Sequence, residues 1–329
     1  MNKLLKVFCA IVLLQTSCKT DVELLAPYKE TMVVYGLLDP SDSVQYLRIN
    51  KAFLGQGDAY SFAQNPDSIN YKDTLEVVLE RYKNNNKIGT INLVRFEGPP
   101  LDSGIFASQP NILYKTVGSD SIYQDSEYKL TINHKETGLV ATSQTNVVGK
   151  ITNLINPSTV GSLDIVSANN PFVAKWTAGA NSKIYDLTLR FHYFEIEKST
   201  GVIEPKSFDW FVSTSIVQSS TNIISMAIPS TTFYQAIRKN IEPNSNVNRR
   251  LVGIDFIYTG GTEEFYTYYQ VNKPSSGIVQ SIPTYTNIEG GVGIFASSYT
   301  QILPGRTLNS ASFDSLFVGQ YTGDLGFIP

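Results

Sequence analysis

Apolar and polar residues alternate along most of this chain with a period of two, the signature of half-buried strands rather than helices. Thr31 to Leu38 (TMVVYGLL) is a β-rich run stopped by the turn cluster Asp39-Pro40-Ser41-Asp42. Val44 to Phe53 reads as its return strand, with Leu47 and Ile49 inward. Gly55 to Asn70 reads as a loop insertion suited to a binding rim. Leu75, Val77 and Leu79 then alternate with Glu76 and Glu80, and Asn84-Asn85-Asn86 turns this strand back into Ile88 to Phe96. Gly98-Pro99-Pro100 breaks the pairing and leaves an irregular stretch to Thr116. Tyr128, Leu130 and Ile132 share one face, a turn follows at Lys135 to Gly138, and Leu139 to Val148 closes the unit.

A second unit opens with Phe172, Ala174 and Trp176. Its clearest strand carries Tyr185, Leu187, Leu189, Phe191 and Tyr193 on one face, with Asp186, Thr188, Arg190 and His192 on the other. Asp209 to Val217 and Asn222 to Ile228 continue the β pattern. One helix interrupts: Ser230 is its expected N-cap, Phe233, Ile237 and Ile241 recur every four residues, and Pro243 stops it. Val252, Ile254, Phe256 and Tyr258 form another strand, which Gly260-Gly261 is expected to turn into a hairpin with Glu264 to Val271.

Strands at this spacing predict an all-β fold of two antiparallel β-sandwich domains of the immunoglobulin or fibronectin type. The first covers residues 30–150 and the second 169–329, with one short helix near 231–241. Residues 151–168, containing Asn156-Pro157-Ser158, read as the linker. The approach Asp125-Ser-Glu-Tyr128 resembles the tyrosine corner of that fold.

The first residues follow a different pattern. Lys3 and Lys6 precede an apolar run of 8 residues, Val7 to Leu14, and Gln15-Thr16-Ser17 leads to Cys18. That run is too short to span a bilayer, which takes roughly 20 residues. The arrangement resembles a bacterial lipoprotein signal, with residues 1–17 removed by cleavage between Ser17 and Cys18 and Cys18 carrying palmitate-type acyl chains. Gln15 departs from the usual pattern, in which Leu is commoner at that place. The other reading is an ordinary cleaved leader with an idle cysteine. Each buried methylene contributes about 0.8 kcal/mol, so several chains together hold firmly. Residues 18–29 form a tether in which Lys19, Asp21 and Glu23 resemble a surface-export tag or serve as solvated spacer. The expected address is the outer membrane, facing either the surface or the periplasm.

Of the 329 residues, 42% are hydrophobic, enough for real cores. The formal net charge is −3, and the leader removes two lysines and no acid, so the mature chain is more acidic still. Nucleic-acid binding wants a basic face and gains no support. The only cysteines are Cys9, inside the leader, and Cys18, so the mature fold has no disulfide to draw on. With two histidines, His134 and His192, and no Cys pair, neither a zinc site nor any other cofactor is expected. His134 is expected in solvent beside a turn, and His192 on a salt-bridged outer face or a ligand-contact face. No G-x-S-x-G element is present. The carboxylate pairs Asp39 with Asp42, Glu195 with Glu197 and Glu263 with Glu264 read as solvated charge at turns and strand ends.

Aromatic residues make up 12% of the chain, including 19 Tyr. On the expected strand 264–271, Tyr266 and Tyr268 are either displayed as a binding platform or buried beneath the helix. Near the C-terminus stands Tyr285-Thr-Asn287-Ile-Glu-Gly290-Gly291-Val-Gly293-Ile-Phe295-Ala296. Gly290, Gly291 and Gly293 either serve a strand that needs positive φ or a bulge, or let backbone approach a ligand. This run, together with the lipobox and Val33-Val34-Tyr35-Gly36-Leu37-Leu38, resembles a family of Bacteroidota outer-membrane lipoproteins that carry a domain of unknown function. The resemblance covers nearly the whole mature chain. It implies an all-β, non-catalytic lipoprotein, held to the membrane by its N-terminal lipid and encoded beside TonB-dependent receptors. A binding or accessory role in transport is therefore the leading expectation, with the small-molecule ligand unspecified. A structural or adhesion protein of the envelope is the alternative, and a hydrolase with an unrecognised carboxylate site the third.

Overall fold

Met32, Val34 and Leu38 of β1 (Met32–Leu38) turn inward, and Leu47 and Ile49 of its antiparallel neighbour β2 (Tyr46–Lys51) meet them. Full burial of each such side chain contributes about 1.5–3 kcal/mol. The computed structural model describes residues 30–52, 58–118, 120–166, 171–217, 221–272 and 284–329. The leader, Cys18 and the tether lie outside the described residues. The fold is mostly β, with 49% of residues in strands and 14% helical, arranged as one large mixed sheet and one small sheet.

The first core lies between β1 and β2 on one side and β3 (Leu75–Lys83), β6 (Glu127–His134) and β7 (Val140–Asn146) on the other. One long strand carries the chain between the two sides. The first part of β4 (Asn86–Gly98) pairs with β3 up to Leu93, and from Val94 onward it pairs with β5 (Asn111–Lys115). β5, which in turn pairs with β2, occupies the stretch expected to be irregular, because Ile112 and Tyr114 bury there. The expected 55–70 loop contains two short helices, α1 (Ala59–Gln64) and α2 (Pro66–Ile69), capped by the side chains of Asp58 and Asn65. Residues 53–57 are outside the described set.

The second core lies between the outer strands of the large sheet and the small sheet. β10 (Ile184–Glu197) pairs with β11 (Ile203–Ile216) and β13 (Val247–Gly261), while β9 (Phe172–Thr177) pairs with β8 (Asn153–Asn156) and β12 (Ile223–Ile228). Trp176 is fully buried, with its ring 5.6 Å from Tyr185 and 4.7 Å from Tyr258 across the interface. β8 and the buried Leu163, which bridges Leu308, place much of the expected linker inside this core.

Two expectations about the second half are corrected. Glu264 to Val271 is no hairpin strand: Gly260 and Gly261 end β13, which follows α3 (Ser230–Asn240), and the chain continues as helix α4 (Glu263–Asn272). Phe265, Tyr268 and Tyr269 stand at i, i+3 and i+4, a helical spacing, and Glu263 and Glu264 complement the positive N-terminal end. A third helix, α5 (Ser310–Val318), is capped by Asn309. Three helices therefore stand where one was expected. In α3, Pro229 rather than Ser230 is the N-cap, with no side-chain bond, and Phe233 and Ile237 bury as expected.

The fold is also not purely antiparallel. β14 (Gly291–Arg306) begins as a parallel partner of β1, from Met32 opposite Gly291 to Leu38 opposite Ser297, and continues as an antiparallel partner of β13. Phe295 belongs to the first core and Leu303 to the second. Gly290 and Gly293 have φ of +76° and +116°, and a Cβ on either would collide with the carbonyl oxygen of Val140 or Val34. Asn287 clamps the turn, its Oδ1 accepting from the Phe295 N–H at 2.9 Å and its Nδ2 donating to the Phe295 carbonyl at 2.6 Å. Ser297 Oγ donates to the Leu38 carbonyl at 2.8 Å and accepts from the Val148 N–H at 3.1 Å.

Gly293→Val is expected to lower stability by about 3 kcal/mol, from positive-φ strain and the collision with Val34. A denaturant midpoint equal to that of the parent chain would contradict this role. A second expectation concerns alkaline pH. Burial pushes the Tyr114 and Tyr234 phenols up to about 12, while unfolded tyrosine titrates near 10. The unfolded chain thus loses these protons first, so stability is full below pH 10 and falls as pH rises towards 12. Denaturation curves at pH 9 and pH 11 measure the difference.

Candidate functional site

Because β1 and β2 send alternate side chains inward, Val33, Tyr35, Arg48 and Asn50 project from the opposite face. They floor a cleft of about 490 Å³. One wall is α2 with Ile69 and Asn70, and the other is the loop bearing Leu101, Phe106 and Pro110. Neither wall has a periodic apolar pattern, and side-chain amides hold both in place. Asn50 Nδ2 donates to the Ile69 carbonyl and to Asn70 Oδ1, each at 3.0 Å, and Asn70 Nδ2 donates to the Pro110 carbonyl at 3.2 Å. Gln64 Nε2 donates to the Gly104 carbonyl at 3.0 Å, and the Ala107 N–H to the Ala63 carbonyl at 2.9 Å. The cleft is thus built on strands and tied shut at its ends, as preformed ligand sites are.

Arg48 lies directly opposite Tyr35 in the β1–β2 ladder. It donates from Nη2 to Asn111 Oδ1 at 2.8 Å, and burial draws its pKa below the usual arginine value. The guanidinium nevertheless stays charged. On the rim, Tyr35 is 43% exposed and Phe106 56% exposed.

Helix α4 packs over β14 and so lies beside this face. Tyr268 lies against Tyr35, and its phenol is raised above the usual tyrosine value by burial first and by the neighbouring Tyr35 phenol second. Tyr266 instead faces Lys183, whose Nζ is 6.0 Å from the ring centre and 3.2 Å from Glu263. The two tyrosines singled out in the sequence thus part company: Tyr268 touches a residue of the cleft and Tyr266 does not share that contact.

His192 lies away from the cleft, on the outer face of β10. Its Nε2 is 2.9 Å from Asp255 Oδ2, and Asp255 Oδ1 accepts from the Gly305 N–H at 2.7 Å. Beside it Arg190 binds Asp209 through two bonds of 2.6 and 2.8 Å, which hold the Asp209 carboxyl below its usual range. His134 corrects the expectation of solvent: it is 7% exposed, contacts Thr137 at 2.5 Å, and lies 3.4 Å from Glu30 and 5.3 Å from the Tyr71 ring. The acidic pairs are engaged as well. Glu195 binds the buried Arg249 at 2.6 Å, and Asp39 accepts from Ser41. Among the described residues no group of three or more His, Cys, Asp or Glu is gathered to hold a metal, and no helix is long and apolar enough to cross a membrane.

No protein-family model and no curated protein matches this sequence. Among solved structures, the chain is similar to the crystal structure of the C-terminal globular domain of an oligosaccharyltransferase from Pyrococcus abyssi, with 13% identity and a TM-score of 0.21. The match covers 68% of this chain and 45% of that one, and likeness at that level carries no argument.

Sequence reasoning passed over Arg48, Lys51 and Phe106. Their one signal was a cation projecting outward between the buried Leu47 and Ile49, followed later by the apolar Leu101, Ile105 and Phe106 in a stretch without strand period. Tyr268→Ala is expected to destabilise the chain by about 1 kcal/mol more than Tyr266→Ala, because only the former removes a part-buried ring that lies against Tyr35. Paired thermal melts of the two variants check the order.

Proposed function

We propose that this chain is a non-catalytic, lipid-anchored binding component of the bacterial outer membrane, acting beside a TonB-dependent transport system. The observation that carries the binding role is the cleft on β1 and β2, apolar in its walls and fixed by Asn50, Asn70 and Gln64. The anchor is supported by the Lys3-Lys6 leader running into Cys18, and the transport context by the resemblance of the Asn287 to Phe295 run. The chain is built as two sandwich units of the immunoglobulin type, and the cleft lies on the first. In support of that detail, the Tyr128 phenol accepts from the Tyr123 N–H at 3.2 Å and reaches the Ser121 carbonyl at 3.4 Å, as a tyrosine corner does.

A second reading, a structural or adhesion protein, has one observation in its favour. β11 ends the large sheet, so one edge of this 14-residue strand has no neighbour there, and Phe211 on it is 54% exposed.

Full-length protein in a Bacteroidota host is expected to take up an alkynyl palmitate label and to sediment with outer membranes, and Cys18→Ala to lose both. Cross-linking in intact cells is then expected to identify a TonB-dependent receptor as the neighbour. Label-free protein that stays membrane-bound after Cys18→Ala rejects the anchor, and a neighbour drawn from adhesin or secretion machinery selects the second reading.

A further inference from the structure

The cleft on β1 and β2 combines apolar walls with positive charge alone. Arg48 and Lys51 are its charged side chains, Asn50 and Asn70 are neutral, and no lining residue carries a carboxylate. Neither cation forms an ion pair with a carboxylate among the described residues, whereas Arg81, Arg190, Arg238 and Arg249 all do. A cation set against apolar side chains without a counter-charge is unfavourable, and an arriving anion relieves that cost. Arg48 gives one hydrogen bond to Asn111 and has further N–H donors in a planar fork suited to a carboxylate.

Taking the cleft to be the ligand site, we infer that its ligand is an amphipathic carboxylate, with an apolar body against Val33, Ile69, Leu101 and Phe106 and its head at the Arg48 guanidinium. The volume of about 490 Å³ falls in the range of roughly 300–1,000 Å³ usual for small-molecule sites. A small hydrophilic anion leaves the apolar walls unused, and an amphipathic cation meets like charge at both Arg48 and Lys51. Charge complementarity and wall chemistry together select the amphipathic anion.

The test uses the chain from residue 18 onward with Cys18→Ala, and three probes that each carry a twelve-carbon chain: dodecanoate, dodecanol and dodecyltrimethylammonium, each below its micellar or solubility limit. Calorimetric titration is expected to show dodecanoate binding at least tenfold more tightly than dodecanol, and the cationic probe more weakly than either. Arg48→Met is expected to bring dodecanoate and dodecanol to equal affinity, and Arg48→Lys to restore part of the preference. Equal affinities in the parent chain overturn the anion assignment and leave the cleft standing as a ligand site. Silence from all three probes overturns both. A preference that survives Arg48→Met also overturns the assignment, and the parent-chain ratio decides the matter even where that variant does not fold.

Discussion

The close approach of two backbones, β14 against β1, is the constraint on which the rest of this structure depends. At Gly293 the Val34 carbonyl occupies the place a side chain would need, and at Gly290 the Val140 carbonyl does the same. Only glycine allows both contacts, and only with both made can Phe295 enter the first core. Asn287 and Ser297 then satisfy the backbone groups on either side of the approach. Helix α4 packs over β14, which makes Ile294 to Ser298 a continuous buried run, while the parallel neighbour β1 keeps its alternation and leaves Tyr35 and Leu37 exposed.

The same strand contributes to both cores, Phe295 to the first and Leu303 to the second. Its N-terminal half completes the sheet that floors the cleft, while its C-terminal half closes the sheet that covers Trp176. A residue such as Ser297 therefore stands between Leu38, Val148 and the start of the second core. The cleft-lining residues of β1 are held from both sides by this arrangement: Val33 and Tyr35 lie opposite Val292 and Ile294 on one side and opposite Asn50 and Arg48 on the other.

How far the fold was legible follows from the range of each interaction. Alternation is local, so β10 could be read from Tyr185 to Tyr193 and β6 from Tyr128 to Ile132. The pairing of β1 with β14 joins residues more than 250 positions apart and leaves no local trace beyond three glycines, which fit a turn as well as a close contact. Helix α4 was misread because Phe265, Tyr266, Tyr268 and Tyr269 suit a strand and a helix equally, and only the extent of β13 through Gly261 decides between them. The cleft was the least legible part. Arg48 resembles any solvated strand residue until the walls beside it are assembled from residues 66–70 and 101–110.

Tension entering the fold from its N-terminal side reaches β1 before anything else. Since β1 runs parallel to β14 and antiparallel to β2, a pull along its axis shears its seven paired positions against β14 together rather than peeling them one by one. A leash attached at that end would thus be fastened to a seam loaded in shear, at the place where the strands of the first core meet those of the second within the large sheet.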